Sequence, residues 1–199
     1  RRKKEYPHRA DNEQGMPCNC GRKRASGTEE IASPLLVQEP VEWGPTLWTY
    51  LHVLAERLGG SGSPVVDTDQ ATYMEILLQN LPHIPPCNEC QQHAAGYIAA
   101  HPPPALKGLY GPALRVTSRE WLFAFHQAVR QQKEQPLLLA SPDECAALYE
   151  NRSIPKADYH RFVQTVTAAI RQGWIRMDHW RKWFSHSEKL RILSGNMIL

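Results

Sequence analysis

No stretch of the chain is apolar over the roughly 20 residues that a membrane-spanning helix needs, and the mean hydropathy is -0.50, so a membrane protein is not expected. The basic start Arg1-Arg2-Lys3-Lys4 leads into no apolar segment, which argues against a secretory signal. Glu5, Asp11, Glu13, Glu29 and Glu30 interrupt the positive charge that a transit peptide would carry. Alternating β-branched runs are missing throughout, so no sheet is expected. The net charge is only +3, with the excess gathered in Arg1 to Lys4 and Arg22-Lys23-Arg24. That pattern reads as a solvated tail, and nucleic acid is not expected as a partner. Cysteine is scarce and odd in number: Cys18, Cys20, Cys87, Cys90 and Cys145 form two close pairs and a singleton. A secreted disulfide framework would spread an even set along the chain, whereas close pairs suggest catalysis or metal.

What is present suffices for a core, with 199 residues of which 42% are hydrophobic. Residues 1–40 are charged, punctuated by Gly and Pro and aperiodic, and read as a flexible basic arm carrying Cys18-Asn19-Cys20. Helical periodicity begins at Gly44-Pro45, with Pro in an opening position. Trp48, Leu51, His52, Ala55 and Leu58 follow at three- and four-residue steps until Gly59-Gly60. Asp67-Thr68-Asp69 offers caps for a second helix that Pro82 closes, and the third starts at Cys87 after Pro85-Pro86. Thr117-Ser118-Arg119-Glu120 reads as a capping box for a fourth helix bearing Trp121, Phe125 and His126. Ser141 to Glu144 is another, before a short helix with Cys145, and a longer helix and an aromatic segment complete the chain. The expectation is an all-α protein: a four-helix bundle over 41–140 and a helical extension over 141–199.

Cys87-Asn88-Glu89-Cys90 admits three readings: a redox disulfide, half of a zinc site, or an idle pair. A thiol at a helix N-terminus faces unpaired N–H groups and the positive end of the helix dipole, which favours thiolate at Cys87. Cys90, one turn deeper, is close enough to close a disulfide. Thioredoxin-like chemistry fits poorly without a βαβ pattern. Zinc would need two more ligands, for which Cys18 and Cys20 are the available pair. The redox reading needs an acceptor for two electrons that no side chain supplies, so it calls for a flavin. Trp48 with His52, and Trp121 with Phe125 and His126, form faces on which a heterocycle would stack, although each alone also reads as ordinary core.

Three blocks occur in order: Trp43-Gly44-Pro45-x-x-Trp48-x-x-Leu51-His52, Pro86-Cys87-x-x-Cys90-x-x-His93, and Trp121-Leu122-x-x-x-His126-x-x-Val129. Together they resemble the Erv/ALR sulfhydryl oxidases over residues 41 to 136. The resemblance implies a helical bundle holding FAD, with Cys90 as the sulfur next to the flavin ring and Cys87 exchanging disulfides with substrate thiols. Trp48, His52, Cys90, His93 and His126 would line the cofactor. Where the family has His-Asn-x-x-Asn, this chain has His126-Gln127-x-x-Arg130, and Arg130 or Lys133 would bind phosphate instead. Phe123 replaces one cysteine of a structural disulfide common in the family, leaving the fold to core packing.

The same resemblance makes Cys18 and Cys20 shuttle candidates and implies a homodimer through the first helices, while Cys145 itself reads as a buried apolar residue or an intersubunit link. It implies thiol-containing protein substrates, oxygen as acceptor and hydrogen peroxide as product. The extension and the missing cysteines look like divergent members encoded by large DNA viruses. That points to host cytoplasm or virion, against the mitochondrial intermembrane space for a cellular member. The rival reading is a non-enzymatic helical adaptor, zinc-bound or metal-free.

Overall fold

The computed structural model describes residues 40–199 other than Leu138 and Asn196; Cys18 and Cys20, with the rest of the arm, lie outside the described residues. Among the described residues seven α-helices follow one another: α1 (Pro40–Arg57), α2 (Pro64–Asn80), α3 (Asn88–Ala100), α4 (Gly111–Gln132), α5 (Pro142–Tyr149), α6 (Lys156–Arg171) and α7 (Met177–Leu193), with a 3-10 turn at Leu81–His83. Among the described residues there is no strand, only an isolated parallel bridge between Ile154 and Ile198. The fold is all-α, as the periodicity requires.

Three helix starts differ from the sequence reading. α1 begins at Pro40, leaving Pro45 inside the helix; so near the N-terminus the ring interrupts few backbone bonds. α2 begins at Pro64 after Ser63, so Asp67 is a buried first-turn residue rather than a cap. Its carboxylate accepts hydrogen bonds from Ser61 Oγ at 2.7 Å and from Gly111 N, at the start of α4, at 2.9 Å. α4 begins at Gly111 behind Tyr110, with Pro112 in its first turn, and Thr117 to Glu120 lie in its interior. There Ser118 Oγ donates back to the Leu114 carbonyl at 2.9 Å, and Leu114, Ser118 and Leu122 share one buried face at four-residue spacing. The box at Ser141 does cap: Ser141 Oγ accepts from Glu144 N at 3.3 Å, and Glu144 Oε2 accepts from Ala140 N at 2.9 Å.

Helices α1 to α4 pack around Leu47, Leu51, Leu54, Leu77, Leu78 and Leu122, all buried. The faces of α1 and α2 that turn away from the other bundle helices are occupied by α6 and α7, with α2 lying along α7 and α1 against α6. Tyr50 of α1 reaches into that seam. It is fully buried, stacks on Tyr159 at 5.6 Å, lies 6.0 Å from Trp183, and donates its hydroxyl to the Ser187 carbonyl at 3.3 Å. Gln70 of α2 ties three segments together. Its Oε1 accepts from Gly59 N at 2.9 Å, and its Nε2 donates to the Leu193 carbonyl and to Ser194 Oγ, both at 3.2 Å.

One ion pair is buried between α1 and α4. Arg119 grips the Glu56 carboxylate through two nitrogens, at 2.7 and 2.5 Å, and the Glu56 side chain is wholly inaccessible to solvent. Removing the cation would strand a buried carboxylate, which costs about 3–5 kcal/mol. Arg119→Met is therefore expected to lower unfolding stability in urea by that order. Adding Glu56→Gln to the same chain is expected to recover much of the loss, and a single-variant loss below about 1 kcal/mol would contradict the arrangement.

Candidate active site

Two buried prolines set the place of the cysteine pair. Pro85 and Pro86 lack the backbone N–H groups that would continue the 3-10 turn at Leu81–His83, so α3 starts only after them. Cys87 is its N-cap, extended at φ -159° and ψ 117°, and its Sγ accepts from Cys90 N at 3.2 Å. Cys87 and Cys90 are joined as a disulfide, with their Cα atoms 5.2 Å apart. Gln91, which the sequence reading passed over, pins the start of α3: its Nε2 donates to the Pro85 carbonyl at 2.8 Å and to the Trp174 carbonyl, beyond α6, at 3.2 Å. Polar anchors of this kind leave no periodic signal.

Beside the disulfide opens a cavity of about 660 Å³. Its walls come from α1 (Trp43, Leu47, Trp48, Leu51), α3 (Cys90, His93, Ala94), α4 (Phe125, His126, Val129, Arg130) and the segment from Lys133 to Pro136, with Tyr149 and Arg152 at one side. Cys90 is on the wall and Cys87 is not. A mostly apolar cleft with a few convergent polar groups is the usual form of a small-molecule site.

The aromatic faces meet as their spacing suggests. The Trp48 indole is parallel to the His126 ring, 4.0 Å between centroids and 4° between planes, and edge-on to Phe125 at 5.3 Å. Trp121 stands farther out, with its Nε1 donating to the His101 carbonyl at 3.2 Å. His52 is placed differently from the expectation that it lines the cavity, because it sits behind His126. There its Nε2 is 3.1 Å from His126 Nδ1, its ring stacks on Tyr149 at 4.7 Å, and its Nδ1 is 3.3 Å from Cys145 Sγ. Burial lowers the His52 pKa to about 4. Burial, then His52 and Arg130, lowers that of His126 to about 3. Both rings are neutral at pH 7, each with one donor and one acceptor nitrogen.

The cationic candidates are at the rim. Lys133 Nζ is 4.0 Å from Cys90 Sγ, close enough to favour thiolate there once the disulfide is reduced. Arg130 lines the cavity while its Nε donates to the Pro136 carbonyl at 2.7 Å. His93 lines it too, 3.8 Å from Glu89. Gln127 points elsewhere: its Nε2 donates to the Leu139 carbonyl at 2.6 Å, fastening the loop that leads to α5. Among the described residues, no group of three or more His, Cys, Asp and Glu side chains is placed to hold a metal ion, and no helix is long and apolar enough to cross a membrane.

Trp43 and Gly44 carry a signal that the sequence motif left unread. Trp43 is 5% exposed, it lines the cavity, and its indole N–H has no hydrogen-bond partner. Gly44 also lines the cavity, and a Cβ built there would meet nothing within 4 Å. A buried donor without an acceptor beside open space is what a ligand site looks like without its ligand.

Comparison with known proteins bears on the same region. A protein of Invertebrate iridescent virus 3 with the provisional name FAD-linked sulfhydryl oxidase 096R is 32% identical over 106 residues, 51% of this chain and 63% of that protein. The chain thus spans less than two thirds of the relative's length. No solved structure matches it significantly. The model of the Erv1/Alr family matches residues 45–152, more than half of the 199 residues. The match takes in the disulfide, the cavity walls from α3 and α4, those from α1 apart from Trp43 and Gly44, and also α5, which the sequence reading assigned to the extension. With the match covering more than half of its residues, the disulfide and most of the cavity wall among them, the chain belongs to the Erv1/Alr family.

Proposed function

We propose that this chain is an FAD-dependent thiol oxidase that makes disulfides in protein thiols and passes the electrons to oxygen. The observation that carries the reading is a disulfide with one sulfur on the wall of an aromatic, partly cationic cavity and the other off it. The named activity of the viral relative supports it, as does family membership.

The residues present fit the cofactor. Trp48 and His126 offer flat faces for a ring system, the free Trp43 N–H offers a donor, and Gly44 leaves room beside it. Arg130 and Lys133, both on the cavity wall, would meet phosphate oxygens, and Cys90 and His93 would contact the ring from α3. When bound, FAD would supply the two-electron acceptor that reoxidises the cysteine pair and returns the electrons to oxygen as hydrogen peroxide.

The protein's own part is disulfide exchange. A substrate thiolate attacks Cys87 Sγ, forming a mixed disulfide and releasing Cys90 as thiolate beside Lys133. A second substrate thiolate attacks the substrate sulfur of that mixed disulfide, so the substrate leaves as a disulfide and Cys87 leaves as thiolate. The pair now holds two electrons, with Cys90 facing the cavity. In the full reaction two thiols and oxygen give one disulfide and hydrogen peroxide. Cys18 and Cys20 remain candidates for a shuttle pair that accepts the disulfide from Cys87 and Cys90 and passes it to the substrate. The likeness to a viral protein supports an origin in a large DNA virus, which would put the work inside a host cell or virion.

The homodimer implied by the resemblance would run along α1 and α2. In this chain those helices already pack against α6 and α7, so we infer that the chain fills the seam itself.

Two measurements test these readings. Cys90→Ser and Cys87→Ser are each expected to keep FAD but to consume oxygen at less than about a hundredth of the native rate with dithiothreitol. Undiminished consumption by Cys90→Ser would remove that sulfur from its role. In sedimentation equilibrium the chain is expected at its monomer mass of 22.7 kDa; a species of twice that mass surviving dilution would restore the implied homodimer.

A further inference from the structure

Cys145 has no part in the exchange chemistry, yet it is 1% exposed and its sulfur stands 3.3 Å from His52 Nδ1. His52 Nε2 in turn is 3.1 Å from His126 Nδ1. Three side chains from α5, α1 and α4 thus form a line that ends at the cavity wall. Its direction follows from counting protons. A thiol carries one proton, and this sulfur's hydrogen-bond partner is His52 Nδ1. If His52 donated to the sulfur instead, the thiol proton would be left buried without an acceptor, and sulfur is itself a weak acceptor. Burial, then the nearby Glu56 carboxylate, pushes the Cys145 thiol up to about 12, so the proton stays on.

Donation by the thiol makes His52 Nδ1 an acceptor. A neutral imidazole has one N–H, so the His52 proton sits on Nε2 and is donated to His126 Nδ1. By the same rule His126 carries its proton on Nε2, the nitrogen with no partner in the protein on a ring that lines the cavity. Had the line run the other way, His126 would offer the cavity a bare acceptor. We propose that Cys145 is a positioning residue: its thiol proton fixes the tautomers of His52 and His126, so that His126 presents a hydrogen-bond donor to an acceptor atom of the bound heterocycle. The occupant being FAD rests on the function proposed above, whereas the tautomer order does not.

Histidine nitrogen–proton correlation spectra of the labelled chain test the order directly, in the native protein, in Cys145→Val, which keeps the volume and removes the donor, and in Cys145→Ser, which keeps a donor. Native His52 and His126 are expected as Nε2–H tautomers, unchanged in Cys145→Ser and mixed in Cys145→Val. A native His126 protonated on Nδ1 would overturn the proposal even if Cys145→Val failed to fold, and so would unchanged tautomers in a folded Cys145→Val. Titration with FAD is expected to give an affinity roughly three- to tenfold weaker in Cys145→Val, as for one lost hydrogen bond. Mixed tautomers with unaltered affinity would sink the claim that the donor meets the ligand. If native protein bound no FAD at all, the functional reading would fail while the spectra still decided the tautomer order.

Discussion

Everything around the cavity depends on two neutral histidines buried against each other. His52 on α1 and His126 on α4 meet at 3.1 Å, both of them buried. Burial therefore keeps them neutral, and neutral rings can stack closely without repulsion. One face of His126 takes Trp48 and one face of His52 takes Tyr149, so a single contact registers α1, α4 and α5. The disulfide on α3 is held to this frame by Gln91 and by the two prolines ahead of it. The cavity is the space left between a fixed disulfide and a fixed aromatic wall.

The C-terminal helices bear on the site from the other side. Tyr50, two residues before His52 and on the opposite side of α1, is held among Tyr159, Trp183 and Ser187. Gln70 binds the end of α7 to the turn after α1. The extension thus fixes how α1 is rotated, and with it the direction of Trp48. Phe123 and Cys145 line the same small void beside His52, and there the thiol is hydrogen-bonded to the imidazole.

Much of this was legible in the residues. The spacing of Trp48, Leu51, His52, Phe125 and His126 gives one apolar face on each of two helices, and Pro85-Pro86 forces Cys87 to a helix start. What could not be read depends on contacts distant in sequence. Cys145 and His52 are 93 residues apart, and nothing local distinguishes this thiol from an apolar filler. His52 was expected on the cavity wall because it shares a helix face with Trp48, but periodicity gives a direction and not a depth. Asp67 was misplaced for a related reason: its carboxylate is claimed by the start of α4. The helix starts at Pro40 and Gly111 were missed because strong local punctuation, Pro45 and Thr117-Ser118, was overridden by tertiary packing.

The central claim is that the cavity beside Cys90 holds a flavin. It is tested most directly by the visible spectrum of the purified chain and of the small molecule it releases on denaturation. The account predicts a yellow protein that yields about one FAD per chain. A colourless protein that takes up no added FAD, with Cys87 and Cys90 intact, would contradict it.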